Sequence, residues 1–147
     1  MSAASEGNVK AIVAGLKRSP LLASLTDRQL KRLATFAKVR DIAKDAVVVT
    51  KGEKGIGFYV VLEGQVQVRK DGKALASLGP GEFFGELALF DGRARSADVV
   101  TLEPTTVVVL SRWEFWGFAE DHPEVLRLLF EAMASRLLDP SRRPPWM

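Results

Sequence analysis

The apolar residues at the start of the chain recur at helical spacing. Four of them share one face of a helix: Val9, Ile12, Val13 and Leu16. Pro20 ends this run, because proline cannot continue a helix. A second helix is predicted to start at Thr26, where Gln29, three residues later, completes a capping box. Residues 1–38 are therefore predicted to form the N-terminal helical part of the domain.

From Val39 the apolar period shortens from about 3.6 residues to about 2, which indicates strands. "AVVVT" predicts one strand, and "GFYVVLEGQVQVRKDGKALASL" predicts two hairpins in series, with turns at Glu63–Gly64 and Asp71–Gly72. "SADVVTLEPTTVVVL" adds two strands divided at Glu103–Pro104. About eight short strands across 39–111 are typical of a small barrel or a double-sheet jelly roll.

The pattern returns to helix after Ser111. "SRWEFWGFAED" predicts a short aromatic helix, and a longer one begins at His122–Pro123, with proline in the first turn. The apolar face of the longer helix comprises Leu126, Leu129, Phe130, Met133 and Leu137. The aromatic residues of the short helix are expected to pack against the strands, with a partner surface as the alternative: Trp113, Phe115, Trp116 and Phe118.

These elements predict one α+β domain. An antiparallel β-roll (39–111) is flanked by the N-terminal helices and by a C-terminal helix pair (112–139), and residues 140–147 form a flexible tail. A length of 147 residues with 47% apolar content suits one domain with its own core.

Composition excludes several functional classes. The chain has no cysteine, hence no disulfide, thiolate nucleophile or Cys-ligated zinc. No apolar run is long enough to span a membrane, and the first twenty residues lack the pattern of a secretory signal, so a cytoplasmic protein is expected. The net charge is only +3 and the basic residues are spread along the chain, which argues against DNA binding.

Catalysis is not expected. His122 is the only histidine, too few for a cupin-type metal site, and nothing supports a Ser-His-Asp triad. The chain also lacks the glycine-lysine loop that binds nucleoside triphosphates.

One long loop between strands, "FFGELALFDGRARSADV" (83–99), has the residues expected of a phosphate site. Gly85 lets the backbone approach an anion, and the N–H groups at the start of a short helix after it, Glu86 to Ala88, would point at the phosphate. Arg95 offers a forked pair of donors, and Ser96 adds a hydroxyl. Glu86 would repel a phosphate unless it binds a sugar hydroxyl, so the loop predicts a nucleotide ligand.

This loop resembles the phosphate-binding cassette of the cyclic nucleotide-binding domain family. That family includes catabolite activator proteins, regulatory subunits of cyclic-AMP-dependent kinase and cyclic-nucleotide-gated channels. The matching positions are Phe84, Gly85, Glu86, Leu87, Ala88, Leu89, Arg95, Ser96, Ala97 and Val99. "LTDRQLKRLA", "KGEKGIGFYVVLEGQVQV" and "LGPGEFFGEL" are also similar to the family, so the resemblance spans about Leu16 to Leu138.

The resemblance implies a ligand, cyclic AMP or cyclic GMP, and no metal or further cofactor. Glu86 would bind the ribose 2′-hydroxyl, Arg95 the cyclic phosphate, and Ser96 the phosphate or the base. Four residues would give backbone contacts or clearance: Gly85, Leu87, Ala88 and Ala97. Phe84 belongs to the matched set, although it is expected, with Phe83, Leu89 and Phe90, to be mainly core.

The family also implies a moving C-terminal helix, here Pro123 to Leu138, that closes over the base and signals to a separate protein. Phe130 or Trp146 could stack on the base, and the same helix could form a homodimer. A ligand-free interaction module that keeps the fold is the alternative.

Two positions depart from the family pattern. Asp98 stands where Ser, Thr or an aromatic residue is usual, and its carboxylate could pair with Arg95 or repel the ligand. Ile56 stands where Asp is common, which is interpreted as a surface or loop feature.

Overall fold

The computed structural model describes residues 2–3, 6–18, 22–55, 57–85 and 95–138. The helices are α1 (Glu6–Lys17), α2 (Asp27–Ala34), α3 (Arg112–Glu120) and α4 (Pro123–Leu138). The strands are β1 (Ser2–Ala3), β2 (Lys38–Ile42), β3 (Val47–Val49), β4 (Gly57–Glu63), β5 (Val66–Lys70), β6 (Lys73–Leu78), β7 (Phe83–Phe84), β8 (Asp98–Thr101) and β9 (Thr105–Ser111).

The strands form two antiparallel sheets. The first has the order β1-β2-β9-β4-β7, and the second has the order β3-β8-β5-β6. This arrangement confirms the predicted double-sheet roll between N-terminal and C-terminal helices. Ser2–Ala3, predicted to lie in a helical region, instead pair with β2 at the edge of the first sheet.

The predicted capping box of α2 is confirmed. The Thr26 hydroxyl accepts a hydrogen bond from the Gln29 N–H (3.1 Å), and the Gln29 side chain accepts one from the Thr26 N–H (2.9 Å). These bonds satisfy two of the donors that a helix leaves free at its first turn. The start of α2 is therefore fixed by local sequence alone.

Only one of the two predicted hairpins exists. β5 and β6 form a hairpin through Asp71 (φ 52°) and Gly72 (φ 78°), as a two-residue turn of the primed type requires. The predicted β4–β5 hairpin is wrong, because β4 lies in the first sheet and β5 in the second. The chain changes sheets at Gly64, where it passes close to Pro104 and Thr105.

The domain has two apolar cores, and β4 contributes to both. The outer core joins α1, α2, α3 and the start of α4 to one face of the first sheet, including Phe58 and Val60 of β4. The inner core fills the space between the sheets and includes Tyr59 and Val61 of β4. Successive residues of a strand point to opposite faces, so β4 is the wall between the helices and the roll interior.

The two C-terminal helices match the predicted pair, and most aromatic residues of α3 pack as expected. Phe115 and Phe118 are buried and Trp116 is half-buried, but Trp113 is 66% exposed. The short helix predicted after Gly85 lies outside the described residues. None of the described helices is both long and apolar enough to cross a membrane.

Candidate functional site

Gly85 and Arg95, ten residues apart, meet at the mouth of the roll. Gly85 has a left-handed backbone (φ 78°), which favours glycine. A Cβ atom at this position would overlap Nη1 of Arg95 and would lie 2.9 Å from the Gly57 carbonyl oxygen. The absence of a side chain at Gly85 therefore leaves the space that the guanidinium occupies.

Arg95 forms three hydrogen bonds with the turn after β3 and with the first residue of β4. Its Nη2 donates to the Gly57 carbonyl oxygen (2.8 Å). Its backbone N–H donates to the Glu53 carbonyl (2.7 Å), and its own carbonyl accepts from the Gly52 N–H (2.9 Å). The two backbone bonds hold the main chain of Arg95, and the bond to Gly57 orients its guanidinium.

The guanidinium has no carboxylate partner among the described residues. Its Cζ lies 5.8 Å from the centre of the Tyr59 ring, close enough for a cation–π contact. Burial lowers the pKa of Arg95, because it penalises the charged form, while Tyr59 acts in the opposite direction. A half-buried cation that contacts a carbonyl oxygen and an aromatic ring among the described residues is suited to bind an anion.

Aromatic stacking supports the site from inside the roll. The rings of Tyr59 and Phe84 are parallel within 3°, with centres 4.8 Å apart. Phe84 is buried in the inner core, as is Ala97, so the expectation that Phe84 is mainly a core residue is confirmed. The inner core thus fixes Phe84, next to Gly85, and Ala97, two residues after Arg95.

Asp98 faces the 51–54 turn. Its Oδ1 accepts a hydrogen bond from the Lys51 N–H at 2.6 Å. Of the two roles considered for this carboxylate, pairing with Arg95 is not seen, since the described contact of Asp98 is with Lys51. Asp98 instead anchors the beginning of the segment whose carbonyls hold Arg95.

The structure brings together part of the predicted site. Gly85 and Arg95 are in contact, with Phe84 and Ala97 behind them and Ser96 exposed and engaged in an interaction of its own. Glu86, Leu87 and Ala88 lie outside the described residues, as does Trp146. Phe130, the other candidate to stack on a base, is 74% exposed on α4.

Sequence reasoning missed two residues that contact the guanidinium, Gly57 and Tyr59. The nearby departure from the family pattern, Ile56, was interpreted as a surface or loop feature. Ile56 is outside the described residues, so this interpretation stays a prediction.

Comparison with known proteins identifies this arrangement. The family model described as "Cyclic nucleotide-binding domain" matches residues 39–122, which include most of β2, the strands β3 to β9 and α3. The chain belongs to the cyclic nucleotide-binding domain family. The predicted resemblance is confirmed by this match.

Relatives of this domain occur in different molecular settings. It is 28% identical to "Pycsar effector protein XpPycTIR" of Xanthomonas perforans, over 83% of this chain and 43% of that protein. It is 30% identical to "Cyclic AMP receptor protein" of Thermus thermophilus, over 83% of this chain and 59% of that protein. The chain thus spans 43% of the length of the first relative and 59% of that of the second.

A solved structure shows the same fold. The N-terminal domain of a transcriptional regulator from Streptomyces coelicolor superposes with a TM-score of 0.78 at 33% identity. The similarity covers 84% of this chain and 90% of that one. The domain is therefore similar to one that forms part of a regulatory protein.

Proposed function

We propose that this chain is a regulatory domain that binds a cyclic nucleotide, with cyclic AMP as the first candidate. The observation that carries the proposal is Arg95, a half-buried guanidinium with no carboxylate partner in the described part of the chain. A nucleotide phosphate at this place would offset the cost of burying the positive charge. Gly85 leaves the guanidinium its space, and the family match is consistent with this role.

The remaining roles follow from the family resemblance. Glu86 binds the ribose 2′-hydroxyl, Ser96 contacts the phosphate or the base, and Phe84 supports the pocket wall. The backbone of Gly85, Leu87, Ala88 and Ala97 gives hydrogen bonds or clearance. Cyclic AMP is favoured by the printed name of the Thermus relative. Cyclic GMP is the second candidate, because the Ser96 hydroxyl could also meet a guanine amino group.

The domain acts by binding rather than by catalysis. Ligand binding shifts the C-terminal helices, and a separate effector protein recognises the shifted population. The effector role in the printed name of the Xanthomonas relative supports signalling of this kind. We include a homodimer, because the exposed ring of Phe130 on α4 is available to a second copy of the chain. We include no DNA, because the net charge is only +3 and the basic residues are spread along the chain.

Calorimetric titration with cyclic AMP and then cyclic GMP tests the proposal. We expect micromolar or tighter binding by the wild type and loss of at least about a hundredfold in Arg95→Gln, because a buried charge-assisted pair is removed. Arg40→Gln is the matched control, since Arg40 is exposed on β2, away from the site. It should bind like the wild type.

Flat titrations with folded wild-type protein would overturn the nucleotide proposal. Equal binding by Arg95→Gln and the wild type would show that Arg95 does not bind the phosphate and that another group of the chain does. The ratio of the two affinities assigns the base.

A further inference from the structure

A second concave surface lies beside the segment that holds Arg95. It is a groove of about 380 Å³ between α3 and the turn before β4. Within the described residues its lining is Lys54, Gly55, Arg112, Trp113 and Trp116. The volume is in the range of small binding pockets.

Two tryptophans form the apolar part of this groove. Trp113 is 66% exposed, although an indole of this size is normally covered. Trp116 is half-buried and held edge-on against Phe115, with ring centres 5.8 Å apart. One ring is therefore fixed and the other is free to contact a partner, a combination typical of binding hot spots.

The polar part of the groove is basic. The side chains of Arg112 and Lys54 form no hydrogen bond or ion pair with another residue in the described part of the chain. The nearest acid on the same helix, Glu114, is engaged elsewhere, since it accepts from Ser111 Oγ (2.8 Å) and lies 3.9 Å from Lys38 Nζ. The described lining therefore has two positive charges and no carboxylate.

We propose that this groove binds a partner protein through an acidic peptide segment with a central apolar side chain. The apolar side chain would insert between the tryptophans, and a flanking carboxylate would accept a bidentate pair of hydrogen bonds from Arg112. Charge complementarity selects this occupant over the chain's own residues 140–147, which carry Arg142 and Arg143. Two cations are also too few for the basic stripe that a nucleic acid needs.

The groove shares a wall with the candidate nucleotide site. Gly55 lines the groove, and the carbonyls of Glu53 and Gly57, two residues before and after it, hold Arg95. A phosphate that draws Arg95 away from these carbonyls would move the groove wall. This coupling rests on the proposed function, whereas docking of the peptide does not.

Nuclear magnetic resonance titration of the full ¹⁵N-labelled chain, without nucleotide, tests the docking. The probe is a synthetic five-residue peptide with a central phenylalanine between two acidic residues on each side. We expect saturable shifts of the Trp113 and Trp116 indole N–H signals, assigned with Trp113→Phe and Trp116→Phe variants. Arg112→Glu should weaken binding about tenfold, because an attractive pair becomes repulsive.

Two controls limit the interpretation. Gly117→Ala lies on the same helix, and its added Cβ meets nothing within 4 Å, so it should bind like the wild type. A peptide with lysines in place of the acidic residues should cause no saturable shift. Absence of saturable shifts with the acidic peptide, or equal shifts with the lysine peptide, would overturn the proposal.

An oligothymidylate that binds more tightly than the acidic peptide would also overturn it, in favour of a nucleic acid. Repeating the titration with cyclic AMP tests the coupling separately. Docking that is unchanged by a nucleotide known to bind would refute the coupling alone. Docking without any nucleotide binding would refute the proposed ligand alone.

Discussion

Two glycines with the same φ angle distinguish the cost of backbone strain from the cost of a steric clash. Gly85 and Gly72 both have φ 78°, where a side chain costs roughly 1–2 kcal/mol. A Cβ at Gly72 meets nothing within 4 Å, whereas one at Gly85 overlaps Arg95. Gly85→Ala should therefore destabilise the domain more than Gly72→Ala, as measured by urea denaturation.

The same pair tests the site. Gly85→Ala should also lose cyclic nucleotide affinity, since the alanine displaces the guanidinium, and Gly72→Ala should keep it. Equal unfolding free energies for the two variants would mean that Arg95 moves aside at no cost. Wild-type nucleotide affinity in Gly85→Ala would mean that the close approach has no functional consequence.

The two possible roles of Asp98, anchoring the 51–54 turn and repelling the ligand, predict opposite changes in nucleotide affinity when its carboxylate is replaced. If it anchors the 51–54 turn through the Lys51 N–H, Asp98→Ala should speed hydrogen exchange at the Gly52 and Arg95 amides and weaken nucleotide binding about threefold to tenfold. Asp98→Asn, which keeps an acceptor oxygen, should change both properties little. Tighter binding by Asp98→Asn would instead mean that the carboxylate repels the ligand.

Residue-level prediction from sequence succeeded where the cause is local. The Thr26–Gln29 capping box was predicted because its two partners are three residues apart. The contacts of Arg95 with Gly57 and Tyr59 join residues more than thirty positions apart, and no periodicity indicates them. The role of Asp98 was likewise left open, because its position in the sequence was compatible with pairing to Arg95 and with repelling the ligand.

At the scale of elements, Gly64 shows what the β4–β5 connection requires. It has φ 91°, and a Cβ there would lie 2.6 Å from the Pro104 carbonyl oxygen and 2.7 Å from the Thr105 Cα. The connection therefore packs backbone against backbone where the chain passes between the sheets. Gly52 has nearly the same φ, 89°, with open space around it.

Gly64→Ala should accordingly cost about 3 kcal/mol or more of unfolding free energy, and Gly52→Ala only the roughly 1–2 kcal/mol of backbone strain. Chemical denaturation of both variants measures the difference. Similar losses would show that the β4–β5 connection can shift away from Thr105 without disturbing either sheet.

The β4–β5 hairpin was predicted wrongly because local sequence indicates a turn but not the sheet that the next strand joins. Glu63–Gly64 has the composition of a turn, and the alternation on both sides predicts two strands. Local pattern says that the chain turns, but the sheet that the next strand joins depends on pairing partners far along the chain. β4 pairs with β9 and β7, and β5 pairs with β6 and β8. Element types were predictable for this reason, while their pairing was only partly so.

At the scale of the whole molecule, β4 connects the helical layer to the candidate site. Phe58 and Val60 face the helices, and Tyr59, between them, faces Arg95. α1 reaches this wall through Gly15, where an added Cβ would lie 2.5 Å from Val60 Cγ1. Displacement of the helices should therefore shift β4 and, on its opposite face, the Tyr59 ring beside Arg95.

Paired helix glycines test this connection. An alanine normally stabilises a helix interior by about 1 kcal/mol over glycine, and Gly117→Ala on α3, with nothing within 4 Å, should show this gain. Gly15→Ala should have the opposite sign and lose about 1–3 kcal/mol, because the methyl group forces α1 away from β4. Thermal and urea unfolding measure both. A gain at Gly15 would mean that Val60 rotates freely. A change in α1 would then not be transmitted through β4 to the candidate site. In that case Gly15→Ala would leave hydrogen exchange at the Arg95 amide unchanged.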